Sequence, residues 1–182
     1  AEAGKLNHAV LDLMFANMRV PGERRGDFLS TWGSCQVAER RIHELTDKFG
    51  ATTVKASMRT LLDRSERRMR RRIDALEDGE FMYEHYLDPL TPGGEPIRAR
   101  VNIIVEGDSL IVDFSGSSSQ LAASMNSGAA VAATGAFIVL KAFLDPGEPV
   151  NHGNFRPVDV RVPEGSFFNA RYPASCAGSS EV

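Results

Sequence analysis

Residues 111–120 read Ile-Val-Asp-Phe-Ser-Gly-Ser-Ser-Ser-Gln, an apolar run that ends on an acid and continues into glycine and serines. Residues of these types can bind phosphate through backbone amides, supply a serine nucleophile, or organise a turn. A phosphate cradle requires Gly-x-x-x-x-Gly-Lys-Ser/Thr, or Gly-x-Gly-x-x-Gly opening a helix after a strand. This stretch has one glycine and no lysine. A nucleophile elbow requires Gly-x-Ser-x-Gly, whereas residues 114–118 are Phe-Ser-Gly-Ser-Ser. In the remaining reading Asp113, at a strand end, and Ser115 and Gln120 after it hydrogen-bond to the loop backbone and can face a ligand. The local residues leave a plain turn and a ligand-facing loop both open.

Other reactive side chains are sparse. Cys35 and Cys176 stand far apart with no Cys-x-x-Cys spacing, and read as free thiols of a reducing, cytoplasmic setting. His8, His43, His85 and His152 form no metal-ligand cluster, so no metal site is expected within these residues. Seven arginines lie between Arg59 and Arg72, which invites a nucleic-acid reading. Acids are interleaved, with Asp63–Arg67 and Arg70–Asp74 at i,i+4, and no aromatic residues stand among the arginines to stack bases. The run therefore reads as a solvated face, or one that meets a partner subunit.

The elements that must position these groups change character near Gly79. Before it, apolar residues recur at helical spacing. Leu6, Val10, Leu13 and Met14 predict one helix, interrupted at Pro21, Gly22 and Gly26. A second is predicted from about Phe28 to Lys48, with Ile42, Leu45 and Phe49 on one side and Gly50 as its stop. A third carries Val54, Met58, Leu61, Leu62, Met69, Ile73 and Leu76 as one stripe. After Gly79 the period becomes two. Residues 80–88 suggest a strand, and Ile97, Ala99, Val101, Ile103 and Val105 alternate with Arg98, Arg100 and Asn102. Gly107-Asp108 then turns the chain into Leu110, Val112 and Phe114 as a hairpin. Residues 129–144 predict a buried helix, apolar on nearly all sides, and Val158, Val160 and Val162 a last extended segment. The expected fold class is α+β, with a helical segment over 1–78 and a mainly antiparallel sheet plus one buried helix over 79–182.

The chain has 182 residues, enough for one domain with a sizeable core, and 42% hydrophobic residues, as soluble globular proteins do. Its net charge of −3 offers no general attraction to nucleic acid or to an anionic membrane. The longest apolar stretch is interrupted by Thr134, Gly135 and Lys141 and falls short of a membrane span. No secretory leader pattern is visible at residues 1–19.

Four stretches, 17–27, 61–73, 107–120 and 149–174, resemble in this order the hydantoinase B family, which includes N-methylhydantoinase B subunits, the second half of ATP-dependent 5-oxoprolinase and acetone carboxylase alpha subunits. The likeness rests on Asn17, Arg19, Pro21, Arg25, Gly26 and Asp27, and on Asp113, Phe114, Ser115, Gly116 and Gln120. Most specific are Asn151, Gly153, Arg156 and Pro157, followed by Pro163, Gly165, Ser166, Asn169, Pro173 and Ala174. The resemblance implies the central portion of a larger B-type subunit. An ATP-binding hydantoinase A-like partner, carrying ATP and Mg, would phosphorylate a cyclic amide, and the B-type protein would complete ring opening in a hetero-oligomer. A divalent metal would lie, if anywhere, upstream of these residues. The alternatives are the alpha subunit of an ATP-dependent acetone-type carboxylase, or a structural segment with the chemistry elsewhere in the complex.

Polar and special-backbone residues gather where strands end and ligands approach. Asp113, Ser115, Gly116 and Gln120 are accordingly expected beside Asn126 and beside Asn151, His152 and Arg156, all as contacts to a small-molecule substrate; the catalytic group stays unassigned. Arg156, with its planar fork, suits a carboxylate or a phosphorylated intermediate. It can equally pair with Asp113 or Asp159 and only fix the fold.

Overall fold

The computed structural model describes residues 4–178, which divide into two compact units, 1–58 and 59–182. The division falls inside a helix.

In the first unit, α1 spans His8–Ala16, and the Asn7 side chain caps it by accepting from the Val10 N–H at 3.2 Å. The next helix, α2, spans Pro21–Phe49 rather than starting near Phe28. Pro21 stands in the first turn, where its fixed φ suits a helix and its missing N–H costs nothing. Gly22 and Gly26 have open space around them, so each imposes only the modest glycine penalty of about 1 kcal/mol. The break comes one residue earlier, at Val20, whose φ of +53° separates α1 from α2. Phe15 and Phe28 meet edge to face with centroids 6.0 Å apart, and Arg25 pairs with Asp12 while lying over the Phe15 ring. No side chain of α2 is buried. Its predicted apolar side, Ile42, Leu45 and Phe49, is exposed.

Helix α3 spans Ala51–Ile73, and from Arg59 onward it belongs to the second unit. There its Met69 and Ile73 are completely buried against Val105, Leu110, Val112 and Val158 of the sheet and Leu140 and Leu144 of the helix α4 (Ala129–Leu144). Each such side chain contributes about 1.5–3 kcal/mol of burial. The sheet has four strands in the order β1 (Gly79–Leu87), β2 (Ile97–Glu106), β3 (Ser109–Asp113) and β4 (Val158–Arg161). The first three pair antiparallel. Gly107, with φ +55°, takes the first central position of the tight β2–β3 turn, a conformation that favours glycine. β4 joins parallel to β3, which demands the long crossover that α4 (Ala129–Leu144) supplies.

Period-two alternation gives this sheet an apolar face toward α4 and a polar one away from it. Ala99, Val101 and Ile103 look toward the helix, while Arg98, Arg100, Asn102 and, across the ladder, Glu84 and Asp113 look away. α4 packs through Ala132, Leu140 and Leu144 but leaves Ile138, Val139 and Phe143 exposed by 63, 66 and 74%. It is therefore covered on one side rather than all round. A helix about 10 Å wide covers roughly two strands spaced about 4.8 Å apart. The space left over is an apolar trough of about 450 Å³, lined among others by Leu87, Ala99, Val101, Val131 and Val139, with His85 on its wall.

Candidate functional site

The 114–120 loop turns out to be an extension of the sheet. β3 ends at Asp113, so the Ile97–Val101 end of β2 has no strand on that side, and two serines take the strand's place. The Ser117 hydroxyl accepts from the Arg100 N–H and donates to the Arg100 carbonyl, both at 3.0 Å. The Ser118 hydroxyl accepts from the Arg98 N–H at 2.8 Å, and the Ser118 N–H donates to the Arg98 carbonyl at 2.8 Å. Asp113 Oδ1 accepts from the Ser115 N–H at 2.8 Å, and the Gln120 N–H donates to the Gly165 carbonyl. The Ser117 N–H is held by the Phe114 carbonyl. Four amides of the loop, those of Ser115, Ser117, Ser118 and Gln120, are thus committed internally, and this is not the open nest that cradles a phosphate.

Asn126 anchors the loop from behind. Fully buried, it accepts from the Leu121 N–H at 2.7 Å and donates to the carbonyls of Leu121, Ala123 and Ser175. Replacing it by alanine strands those buried groups without partners, at about 1–3 kcal/mol each before relaxation. The expected result is a loss of about 3 kcal/mol in urea unfolding, and a loss below about 1 kcal/mol would show that the loop does not depend on it. Gln120 Oε1 accepts from the Arg171 N–H at 2.8 Å and ties the loop to the 163–175 segment. Ser115 and Gly116 are exposed at the tip.

The second motif lies elsewhere. Asn151 caps the short 3-10 turn His152–Phe155 and donates to the Ser65 hydroxyl of α3 at 2.8 Å. Gly153 packs against the α3 backbone at Leu62. Arg156 holds Asp63 and Glu66 of α3, each at 2.9 Å, rather than Asp113 or Asp159, and with Arg70 it keeps the Glu66 carboxyl below the usual range. The α3 acids are thereby taken: Asp63 serves Arg156 instead of Arg67, and Arg70 pairs with Glu66 and Asp108 instead of Asp74. Because β3 and β4 run parallel with Asp113 opposite Arg161 and Leu110 opposite Val158, Arg156 lies before the start of β4, beyond the end of the ladder opposite to Asp113. Asp113, Ser115, Gly116, Gln120 and Asn126 are gathered, whereas Asn151 and Arg156 form a separate clamp on α3 and His152, between them, is exposed. No hydrogen bond or ion pair joins the two groups among the described residues.

A family model described as Hydantoinase B/oxoprolinase matches residues 1–182. The chain belongs to this family. It is 29% identical over 184 residues to the B subunit of a putative D-/L-hydantoinase from Pseudomonas sp. (strain NS671), covering 95% of this chain and 31% of that protein. It is 30% identical over 172 residues to the beta subunit of caprolactamase from Pseudomonas jessenii, covering 94% and 29%. The crystal structure of ATP-dependent caprolactamase from Pseudomonas jessenii superposes with a TM-score of 0.83 at 30% identity, over 97% of this chain and 30% of that one. Nucleotide-free acetone carboxylase shares the fold, with a TM-score of 0.79 at 17% identity over 97% of this chain and 25% of that one. The chain thus spans about three tenths of the length of the curated relatives it matches.

Within this hydantoinase B segment, the spaced motifs do not include Arg98 and Arg100. These two occupy successive outward positions of β2 beside the serine loop, and the alternation Arg98, Arg100, Asn102 is their signal in the sequence. A Cβ placed on Gly116, whose φ is +86°, would lie 3.0 Å from Arg100 Cδ and 3.2 Å from its Nη1. Glycine is what lets the loop tip rest on this guanidinium. No group of three or more His, Cys, Asp or Glu side chains among the described residues has the arrangement of a metal site. No helix among them is long and apolar enough to cross a membrane.

Proposed function

We propose that this chain is the central part of a B-type subunit that completes ring opening of a cyclic amide phosphorylated by an ATP-binding, A-type companion. The observation that carries this reading is the family match over all 182 residues, strengthened by the likeness to ATP-dependent caprolactamase. In the reaction the amide oxygen attacks the γ-phosphorus of ATP and ADP leaves. Water then adds to the activated carbon, the carbon–nitrogen bond breaks as the ring nitrogen takes a proton, and a second water releases phosphate. ATP and Mg are assigned to the companion, and the internal commitment of the loop amides supports placing the nucleotide there rather than on residues 115–120. The assembly is a cytoplasmic hetero-oligomer with no nucleic-acid partner.

Substrate contact falls to the exposed tip of the β3 loop. The Ser115 hydroxyl, the second carboxylate oxygen of Asp113 and the Gln120 side-chain amide N–H groups retain free hydrogen-bonding capacity beside Gly116. Asn126 and Gln120 Oε1 hold that tip in place, while Asn151 and Arg156 position the 3-10 turn on α3. His152 is exposed and takes no part in that clamp.

The polypeptide carrying residues 1–182, purified with its co-expressed companion, is expected to open hydantoin, 5-oxoproline or caprolactam with one ADP formed per ring opened. Ser115→Ala and Gln120→Ala should raise KM more than they lower kcat, since each removes a contact present throughout the reaction. Ring opening without ATP, or bicarbonate-dependent carboxylation of a ketone with no lactam turnover, would overturn the reading.

A further inference from the structure

The polar face of the sheet holds an imbalance that folding alone does not explain. Arg98 Nη1 lies 4.0 Å and Arg100 Nε 3.9 Å from the same oxygen of Glu84. Both separations exceed a hydrogen bond, so two guanidinium groups share one carboxylate by charge alone. The other Glu84 oxygen accepts from the Tyr86 hydroxyl at 3.1 Å. Arg100 Nε is shut off from solvent with no hydrogen-bond partner. Asn102 Oδ1, next on the same face, is also buried without a partner, while its Nδ2 donates to Glu80 at 2.6 Å. Buried polar atoms are ordinarily paired, and an unpaired one asks for a missing group.

The backbone under both arginines is fixed. Ser117 and Ser118 bond to both sides of the Arg100 and Arg98 peptides, and Gly116 rests against the Arg100 side chain. With the backbone held in this way, only the two side chains remain to be ordered when an anion arrives. Arginine is suited to the task, because its planar fork matches the paired oxygens of a carboxylate or phosphoryl group.

We propose that Arg98 and Arg100, beneath the Ser115–Gly116 tip, form an oxyanion-binding site that takes a carboxylate or phosphoryl group. Assigning that group to the substrate or its phosphorylated form rests on the cyclic-amide reading above, whereas anion binding itself does not. Glu84 is the internal counter-ion that the ligand displaces. Asp113, opposite Asn102 on this face, sets the limit on how much negative charge the site accepts.

Isothermal titration of the polypeptide carrying residues 1–182 with inorganic phosphate and, separately, with acetate tests this. Binding of phosphate alone assigns a phosphoryl ligand, and binding of acetate alone or of both assigns a carboxylate or a shared site. Arg100→Gln and Arg98→Gln are each expected to weaken the bound anion about tenfold, the worth of one charge-assisted hydrogen-bonding partner. Glu84→Gln should tighten it several-fold. That opposite sign cannot come from a damaged fold. Arg64→Gln, on the exposed face of α3, should change nothing. The proposal is overturned if neither anion binds, if binding survives both arginine changes, or if Glu84→Gln leaves affinity unaltered. Lactam turnover is read in parallel. A complex that opens no ring while still losing phosphate on Arg100→Gln sinks the proposed function and keeps the anion site; an active complex whose anion binding ignores Arg98 and Arg100 does the reverse.

Discussion

Replacing Asp145 by alanine is expected to cost about 3–5 kcal/mol of stability, because it removes the carboxylate held between two enclosed cations and leaves them only Glu148, 3.5 Å from Arg68, as counter-charge. The Asp145 side chain is only 3% exposed, and those of its partners Arg68 and Lys141 are 15% and 12% exposed. Arg68 grips the carboxylate with Nε at 2.9 and 3.0 Å and Nη2 at 2.9 Å, and Lys141 Nζ stands 3.2 Å away. Asn154 Nδ2 adds a fourth donor group at 3.2 Å. One carboxylate therefore ties α3, α4 and the 3-10 turn together. Burial pushes its pKa up, but the hydrogen bonds and charges of Arg68 and Lys141 outweigh burial and hold it below the ordinary value. A depressed carboxyl pKa contributes stability above the unfolded value of about 3.9 and loses it as pH falls through the folded value. Urea unfolding of the wild type and of Asp145→Ala should therefore differ most near neutrality and converge below about pH 4. A gap that stays constant from about pH 7 to about pH 3 would mean that charge is not what Asp145 contributes.

Gly153→Ala is the other change expected to be severe, at about 3 kcal/mol or more. A Cβ there would overlap the Leu62 carbonyl oxygen and lie 2.7 Å from the Leu62 carbonyl carbon, and also 2.9 Å from Asn151 Oδ1. The first two obstacles are helix backbone, which cannot swing aside as a side chain can. The 3-10 turn must lift from α3, loosening the Asn151–Ser65 bond and the contacts of Arg156 with Asp63 and Glu66. Thermal unfolding should fall by about 6–12 °C. A shift under about 2 °C would show that the turn has room that this packing denies it.

Local chemistry and hydrophobic period suffice for most of the secondary structure. Val101, Ile103, Val105, Leu110 and Val112 alternate because a sheet has one covered face, and Gly107 allows the tight turn, so β2 and β3 are legible residue by residue. The start of α2 is not legible in the same way, because proline and glycine read as punctuation whereas a proline in the first turn begins a helix. Nor does the sequence give the cover of α4, since an apolar helix reports what it can bury and not what is present to bury it.

What the sequence determined by itself is the α+β order of elements, the membership signalled by four spaced motifs, and the rejection of a phosphate-loop pattern at 111–120. These depend on residue type and on neighbours close along the chain. Only the tertiary structure decided which motif residues stand together. Register against β2 turned Ser117 and Ser118 into a substitute strand, and the parallel pairing of β3 with β4 moved Arg156 to the far end of the ladder from Asp113. Asp63 prefers Arg156, distant in sequence, to Arg67 one helical turn away, because docking of the 3-10 turn brings a guanidinium between two α3 carboxylates. The exposed pairing of Arg98 and Arg100 around Glu84 has the same origin: alternation places them on one face, but only the folded loop at Gly116 leaves Arg100 Nε enclosed and without a partner.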